Sequence, residues 1–191
     1  IFPRIKDNNM WVGVTCNSED MVFEVPEGAE VNPKDREKAA RMGYIGNYTR
    51  QGNACWFTNI DHGRRHAPLA LMSMADNIRY SKHKDLKENG YLSYCNFDGI
   101  DVPYVDAIPD DYDGVMGVPT SFLDKYNPEQ FEIIGIGSGY LGQSIGVGGI
   151  QKEHKRMMKG HSAAGDLYFL KKDGTPKVPY SRVLIRKRAG K

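Results

Sequence analysis

Seven glycines fall within the fifteen residues GIGSGYLGQSIGVGG, from Gly135 to Gly149. No other stretch limits the possible folds as strongly. The residues just before it, Phe131-Glu132-Ile133-Ile134, are mostly aromatic and β-branched and read as a strand that runs on to Ile136. Gly137, Gly139 and Gly142 then satisfy G-x-G-x-x-G. A dinucleotide loop needs that strand, a helix opening at the motif, and an acidic residue after the next strand. Only the strand is legible. Gly146, Gly148 and Gly149 would fall inside the helix, and each costs about 1 kcal/mol there relative to Ala. The stretch therefore reads as a flexible loop or glycine-rich hairpin between Ile136 and Ile150, where permissive backbone is the requirement.

The rest of the chain alternates short strands with turns. IFPRIKDNNMWVGV reads as the tail of a helix, a turn and a strand over Trp11 to Val14. With no initiator Met and nothing before Ile1 that could pair with or cover that strand, the chain is read as a fragment cut inside a larger domain. MVFEV (Met21 to Val25) is a second strand. Asn32 as cap and Pro33 at the first helical position predict a helix from Pro33 to Arg41. CWFTNI (Cys55 to Ile60) is the best strand of the first half, bounded by Gly52-Asn53 and Asp61-His62-Gly63. Residues 67–80 fit neither period. Val118 to Lys125 holds a short helix or turn, and Asn127-Pro128-Glu129-Gln130 predicts a helical turn feeding the strand at Phe131. A basic helical run spans Gln151 to Lys159. DLYFL (Asp166 to Leu170) and PYSRVLIRK (Pro179 to Lys187) read as strands joined through the turn Lys172-Asp173-Gly174. On these elements the chain reads as α+β, with antiparallel pairing.

The net charge of +2 hides an asymmetry. Residues 151–191 carry 12 Lys and Arg against 3 Asp and Glu, whereas residues 1–150 carry 14 against 21. A basic segment on a nearly neutral chain points to a polyanion or to a solvated tail. Cys16, Cys55 and Cys95 are far apart and odd in number. They suggest neither a metal site nor a disulfide framework, and a reducing cytoplasm is the expected setting. No apolar run approaches the roughly 20 residues of a membrane span, and no signal peptide is visible. Six aspartates lie between Asn96 and Asp113, but the spacing is not that of a calcium loop and prolines interrupt it. They read as a solvated acidic loop. Asp61, His62 and His66 lack a third ligand, so no metal is expected.

Three long stretches, in order, resemble the C-terminal portion of EcoRI-type adenine-specific DNA methyltransferases: GNACWFTNIDHGRRH (Gly52 to His66), YDGVMGVPTSFLDKYNPEQFEIIGI (Tyr112 to Ile136) and GDLYFLKKDGTPKVPYSRVLIRKR (Gly165 to Arg188). The opening residues also fit, and the resemblance covers nearly the whole chain. It implies methyl transfer from S-adenosylmethionine to adenine N6 in duplex DNA, with the adenine flipped out of the stack. It also implies an N/D-P-P-aromatic catalytic motif and a separate cofactor loop, both upstream of Ile1. The two Asn-Pro pairs here, Asn32-Pro33-Lys34 and Asn127-Pro128-Glu129, lack the second Pro and the aromatic. The resemblance thus makes residues 1–62 the last strands of a Rossmann-like methyltransferase sheet. Residues 63–191 become an α+β target-recognition region with antiparallel strands, so that the class the resemblance implies is α/β to α+β. The cofactor would be bound mainly by the missing N-terminal part.

On that footing Trp56 and Phe57 point to opposite faces of a strand, and Trp56 is the candidate for the flipped-base pocket. Arg64, Arg65 and His66 follow the strand and are candidates for DNA contact, since an arginine fork fits guanine or phosphate. Arg182 and Arg186, four apart, would make one face of their strand basic. They are further DNA candidates. Lys152, Lys155, Arg156, Lys159, Lys177, Lys187 and Arg188 are candidates for backbone phosphates. Tyr44, Asn47 and Tyr48 suggest a DNA-facing loop. The expected partner is double-stranded DNA, with a companion restriction endonuclease acting on the same site. Two other readings stay open: a non-catalytic DNA-binding module, and a cofactor enzyme using the glycine-rich stretch.

Overall fold

A computed structural model of the chain describes residues 1–13, 21–50, 55–158 and 162–188. Val14, Cys16, Gly52, Asn53 and Lys159, which figure in the sequence reading, lie outside the described residues. The chain opens with α1 (Phe2–Lys6), a turn in which Asn8 takes φ 57°, and β1 (Trp11–Val12). β2 (Val22–Glu24), α2 (Pro33–Arg41) and β3 (Tyr48–Arg50) form a small unit, with β2 antiparallel to β3 and α2 packed on β3. α2 starts where the sequence places it. The Asn32 side chain accepts from Lys34 N at 3.0 Å, a cap worth about 1 kcal/mol.

β4 (Phe57–Thr58) pairs antiparallel with β1 and is far shorter than CWFTNI suggests. Beyond Thr58 the chain turns back, with Ile60 N donating to Thr58 Oγ1 and Trp11 Nε1 to Ile60 O. A 3-10 turn at Gly63–His66 leads to α3 (Met74–Tyr80) and α4 (Lys84–Asn89). α3 resolves the ambiguity of residues 67–80. Ser73 Oγ accepts from Asp76 N and donates to Asp76 Oδ2, a serine N-cap whose hydroxyl is itself held by the Asp76 carboxylate.

The main sheet has five strands: β5 (Leu92–Ser93), β6 (Ile100–Asp101), β7 (Met116–Pro119), β8 (Phe131–Ile136) and, after the short hairpin β9 (Phe169–Leu170) and β10 (Pro176–Lys177), β11 (Arg182–Lys187). Their order is β5-β6-β7-β11-β8, with only the β6–β7 pair parallel. Thus β11 does not pair back through the Lys172-Asp173-Gly174 turn. That turn closes β9 onto β10, and β11 enters the sheet between β7 and β8.

The sheet is buried on both faces. Met116, Val118, Phe131, Ile133, Val183 and Ile185 belong to one core, with Phe122 and Tyr126 from the 3-10 turn Thr120–Lys125 packed on them. Leu184 and Val115 point the other way, into a second core with Tyr94, Leu167 and Phe169. The apolar run Val183-Leu184-Ile185 is what two buried faces require. Ile5 of α1 also sits in the first core, with Phe57 against it. Gly117 of β7 is glycine for space: a Cβ there would lie 2.0 Å from the Tyr94 hydroxyl.

The glycine-rich stretch departs from the sequence expectation. It contains a helix, α5 (Gly139–Ser144), opening just after β8, and α6 (Lys152–Met157) follows. The glycines serve backbone approach. A Cβ on Gly142 would meet Gly165 O at 1.9 Å, and one on Gly165 would meet Gly139 O at 2.1 Å. The cost of glycine in a helix is offset by letting two backbones touch. After Ser144 the helix ends, with Gly146 at φ 89°.

Candidate nucleic-acid interface

β4 sends Phe57 to the core and leaves Trp56 60% exposed. Gly13 N donates to Trp56 O at 2.9 Å, which extends the β1–β4 ladder. The chain then runs through Asp61 and His62 into the 3-10 turn. His62 Nε2 lies 2.9 Å from Val12 O, and its buried Nδ1 meets no partner among the described residues. Asn127 and Gln130 fix the far end of this segment. Asn127 Nδ2 donates to His66 O, while the Gln130 amide brackets Leu69, accepting from its N–H and donating to its C=O, both at 2.8 Å. The Gln130 side chain is therefore not spent on its own helical turn.

Arg64 and Arg65 part company here. Arg65 is buried, with its guanidinium 3.5 Å from the Trp11 ring centroid, and donates to Asn8 Oδ1 and, at 3.3 Å, to Asp61 Oδ1. Its role is to hold α1, β1 and the turn together, so its placement as a DNA contact is corrected by its burial. His66 lies between two carboxylates, 3.0 Å from Asp61 and 3.4 Å from Glu129. Its hydrogen bond to Asp61 is the main cause holding that carboxyl below its ordinary range. An acidic bracket of this kind does not favour a phosphate.

Arg64 instead lines a cleft of about 550 Å³. Its walls are the Val12–Gly13 backbone, the Ala67–Leu69 segment, and Asp124 and Lys125 from the 3-10 turn Thr120–Lys125. Burial pushes the Asp124 carboxyl up, more than nearby Arg64 and Lys125 pull it down. Two cations against one carboxylate suit an anionic group; the Val12 carbonyl and Gly13 N–H of the wall are already bonded to His62 and Trp56. Sequence reading missed Lys125 and Asp124. They sit 61 and 60 residues from Arg64 in a stretch with no motif, and only the fold brings them to the cleft.

The two arginines of β11 also part. Arg182 Nε and Nη2 donate to Asp101 at 2.8 and 3.3 Å, and Tyr94 Oη donates to the same carboxylate at 2.8 Å. The arginine and aspartate side chains are 11% and 6% exposed. Burial works against the arginine's charge, but the bonds and charge of Asp101 outweigh it and raise the guanidinium's pKa. Burial, reinforced by Asp101, pushes the Tyr94 hydroxyl well up. Arg186 is exposed and pairs in register with Glu132. The face shared by Arg182 and Arg186 is therefore not a basic strip. It carries Leu184 of the second core between them. Asp101 corrects the solvated-loop reading as well, and other members of that aspartate run are tied down too: Asp106 to His83 and Lys82, Asp111 to Met74 N, and Asp113 to Lys187.

Lys152, Lys155 and Arg156 are exposed on α6, which packs against β10. Lys187 donates to Asp110 O, and Arg188 Nε to Pro128 O at 2.8 Å. Asn47 is structural: its Nδ2 donates to Val25 O and Pro26 O, and its Oδ1 accepts from Arg36. Tyr44 and Tyr48 contact each other at 5.4 Å between ring centroids.

The glycine-rich stretch does not fit a nucleotide cofactor. The start of α5, where a phosphate would sit, is filled by Asp166. Its Oδ1 accepts from Gly139 N at 2.8 Å and Ser138 Oγ at 3.0 Å, and its Oδ2 from Ala163 N. The chain supplies its own anion.

No solved structure matches this chain. The family model of the adenine-specific methyltransferase EcoRI matches residues 1–188. The type II methyltransferase M.EcoRI of Escherichia coli is 36% identical over 166 residues, which is 83% of this chain and 47% of the relative. The type II methyltransferases M.MgeORF184P of Mycoplasma genitalium and M.MpnI of Mycoplasma pneumoniae are each 33% identical over 135 residues, 70% of this chain and 39% of theirs. The chain thus spans about half or less of the length of these curated relatives. Matched over nearly its full length, it belongs to the EcoRI adenine-specific methyltransferase family.

Proposed function

We propose that this chain is part of a site-specific DNA methyltransferase that moves a methyl group from S-adenosylmethionine to adenine N6 in duplex DNA. Its own contribution is structural and recognitional. β1 and β4 would be the last strands of a Rossmann-like sheet, and residues 63–191 the target-recognition region. The cofactor would be held mainly by the N-terminal portion of the enzyme, since the glycine-rich stretch here is filled by Asp166. The expected setting is the cytoplasm, with a companion restriction endonuclease on the same site. No helix among the described residues is long and apolar enough to cross a membrane.

The observation that carries the reading is the cleft beside β4. Arg64 and Lys125 bring two positive charges to its wall, and Trp56, outside the lining but bonded through its carbonyl to Gly13 of the wall, presents an exposed aromatic face nearby. Stacking a base on such a face is worth about 1–3 kcal/mol. Electrostatics would bring the duplex in, and the cleft, with Trp56 beside it, would receive a displaced nucleotide.

The test is fluorescence anisotropy with short duplexes across a salt series, alongside methyl transfer from tritiated S-adenosylmethionine. Salt-sensitive binding that prefers one duplex is expected, and so is loss of that preference in Trp56→Ala. No duplex binding by a folded sample overturns the reading. The second reading, a non-catalytic DNA-binding module, is favoured by one feature. Within these 191 residues no N-P-P-aromatic occurs, and the two Asn-Pro pairs cap α2 and shape the turn before β8. The 191 residues alone are expected to transfer no methyl group, and detectable turnover by them sinks that expectation.

A further inference from the structure

A second, smaller pocket of about 60 Å³ lies under the β9–β10 hairpin, away from the cleft. Arg182, Lys171 and Lys177 line it, together with Asp101, Asp85 and Asn89. The two carboxylates are engaged. Asp101 takes Arg182 and Tyr94, and Asp85 Oδ1 accepts from Asn89 Nδ2 at 3.1 Å. Three cations against two carboxylates leave one positive charge. Asp101 takes two of the five N–H donors of the Arg182 guanidinium and Tyr94 stands against it as well, so the pocket is lined by a partly buried, rigidly held fork. Neither Lys177 nor Lys171 forms an ion pair with a carboxylate among the described residues, although Lys171 acts on the exposed Asp173.

The buried pair does not need a ligand in order to exist, but stability alone explains it poorly. Replacing a buried ion pair by apolar side chains is often neutral or stabilising. A guanidinium held by Asp101 and Tyr94 with a polar pocket opening onto it is the arrangement an anion needs. A divalent cation would face three positive groups. The pocket's size suits one tetrahedral anion and excludes a base. α6 packs on β10 and brings exposed Lys152, Lys155 and Arg156 to the neighbouring surface, where an extended polyanion would run on from the pocket.

We propose that this pocket binds a single backbone phosphate of duplex DNA, with Arg182 at its floor and Lys171 and Lys177 at its rim. The inference rests on the reading of the chain as a duplex-binding portion of a methyltransferase, and names a phosphate site that the cleft does not supply. One phosphate neutralised contributes a slope of about 0.9 in log K against log salt concentration.

The experiment is a salt series of duplex anisotropy on the intact protein, its K171A/K177A variant and a charge-matched control, K34A/K38A, on α2. Circular dichroism confirms that each is folded. These lysines are exposed and removing them leaves the cores intact. The expected result is a slope shallower by about 1 in K171A/K177A, with affinity down by roughly tenfold at low salt, and the wild-type slope in K34A/K38A. A wild-type slope in K171A/K177A, or equal flattening in both variants, overturns the phosphate pocket while leaving duplex binding intact. A wild-type protein that binds no duplex overturns the underlying reading, and the pocket with it.

Discussion

The turn Gly63–His66 and the strand β11 each carry two arginines that look equivalent in sequence, and in each the fold divides them. Arg65 goes under Trp11, and Arg182 goes into the sheet onto Asp101. Arg64 faces the cleft, and Arg186 lies on the outside opposite Glu132. The two buried members differ in what receives the charge. Arg65 rests mainly on an aromatic ring and a neutral amide, its carboxylate partner being largely exposed. Arg182 is paired with a carboxylate as buried as itself. Burial makes each of them a brace, and the partner sets how much is lost when the brace is cut; Arg182 alone keeps a side on a pocket.

That difference is sharpest at Asp101. Asp101→Ala leaves Arg182 charged in a sheet interior and the Tyr94 hydroxyl unpaired, and should cost about 3–5 kcal/mol, read as a shift in the denaturation midpoint. The double variant Asp101→Leu with Arg182→Met should recover most of that loss, because it removes both charges together. If the double variant is no more stable than Asp101→Ala, the pair is not behaving as a buried ion pair.

Cutting Arg65 should cost less. Arg65→Ala removes a desolvated cation–π contact and the bonds to Asn8 and Asp61, about 2 kcal/mol. Arg65→Lys keeps the charge and loses the planar stack, so it should recover only part. A full recovery would assign the stabilisation to charge alone and erase the contrast with Arg182.

How much of this was legible depends on how far away the partner lies. α2 could be read from Asn32 and Pro33 because a cap acts within three residues, and β8 from its own composition. α3 was within reach through Ser73-x-x-Asp76, a local signal overshadowed by the irregular apolar pattern around it. The fate of Arg182 was not legible, since Asp101 stands 81 residues away in a run that local composition marks as a solvated loop. The cleft shares that property, with Arg64 and Lys125 joined only by the docking of Asn127 and Gln130 on the segment at 66–69. The glycine-rich stretch shows the converse. Its letters match a phosphate loop, and a strand and helix do flank it, yet Asp166 from 27 residues on occupies the place of the phosphate.

The cleft carries its own electrostatic signature in Asp124. Burial raises its folded-state pKa above the ordinary 3.8. Below the unfolded value the group is protonated in both states and costs nothing. As pH rises toward the folded value the unfolded chain releases its proton first, so stability falls, and above that value the whole penalty stands. Asp124→Asn should therefore melt slightly higher than wild type at pH 7, with the gap closing near pH 3. The gain is small, because the Asp124 side chain is only partly desolvated at the cleft wall and still reaches solvent, and its two cations offset part of the penalty. A gap that widens on acidification would show that Arg64 and Lys125 dominate instead.

The outward members of each pair provide the finest test, because stability should hardly register their loss. Arg64→Ala and Arg186→Ala remove exposed side chains, and each should stay within about 0.5 kcal/mol of wild type. Duplex binding should separate them. Arg64 shares its cleft with Lys125, so its loss should weaken binding several-fold and flatten the salt slope by about 1. Arg186 stands across from Glu132, whose charge offsets its own toward any polyanion, so its removal should alter affinity by less than twofold. Equal losses from the two variants would mean that overall positive charge, rather than the geometry of the cleft, draws the duplex to this protein.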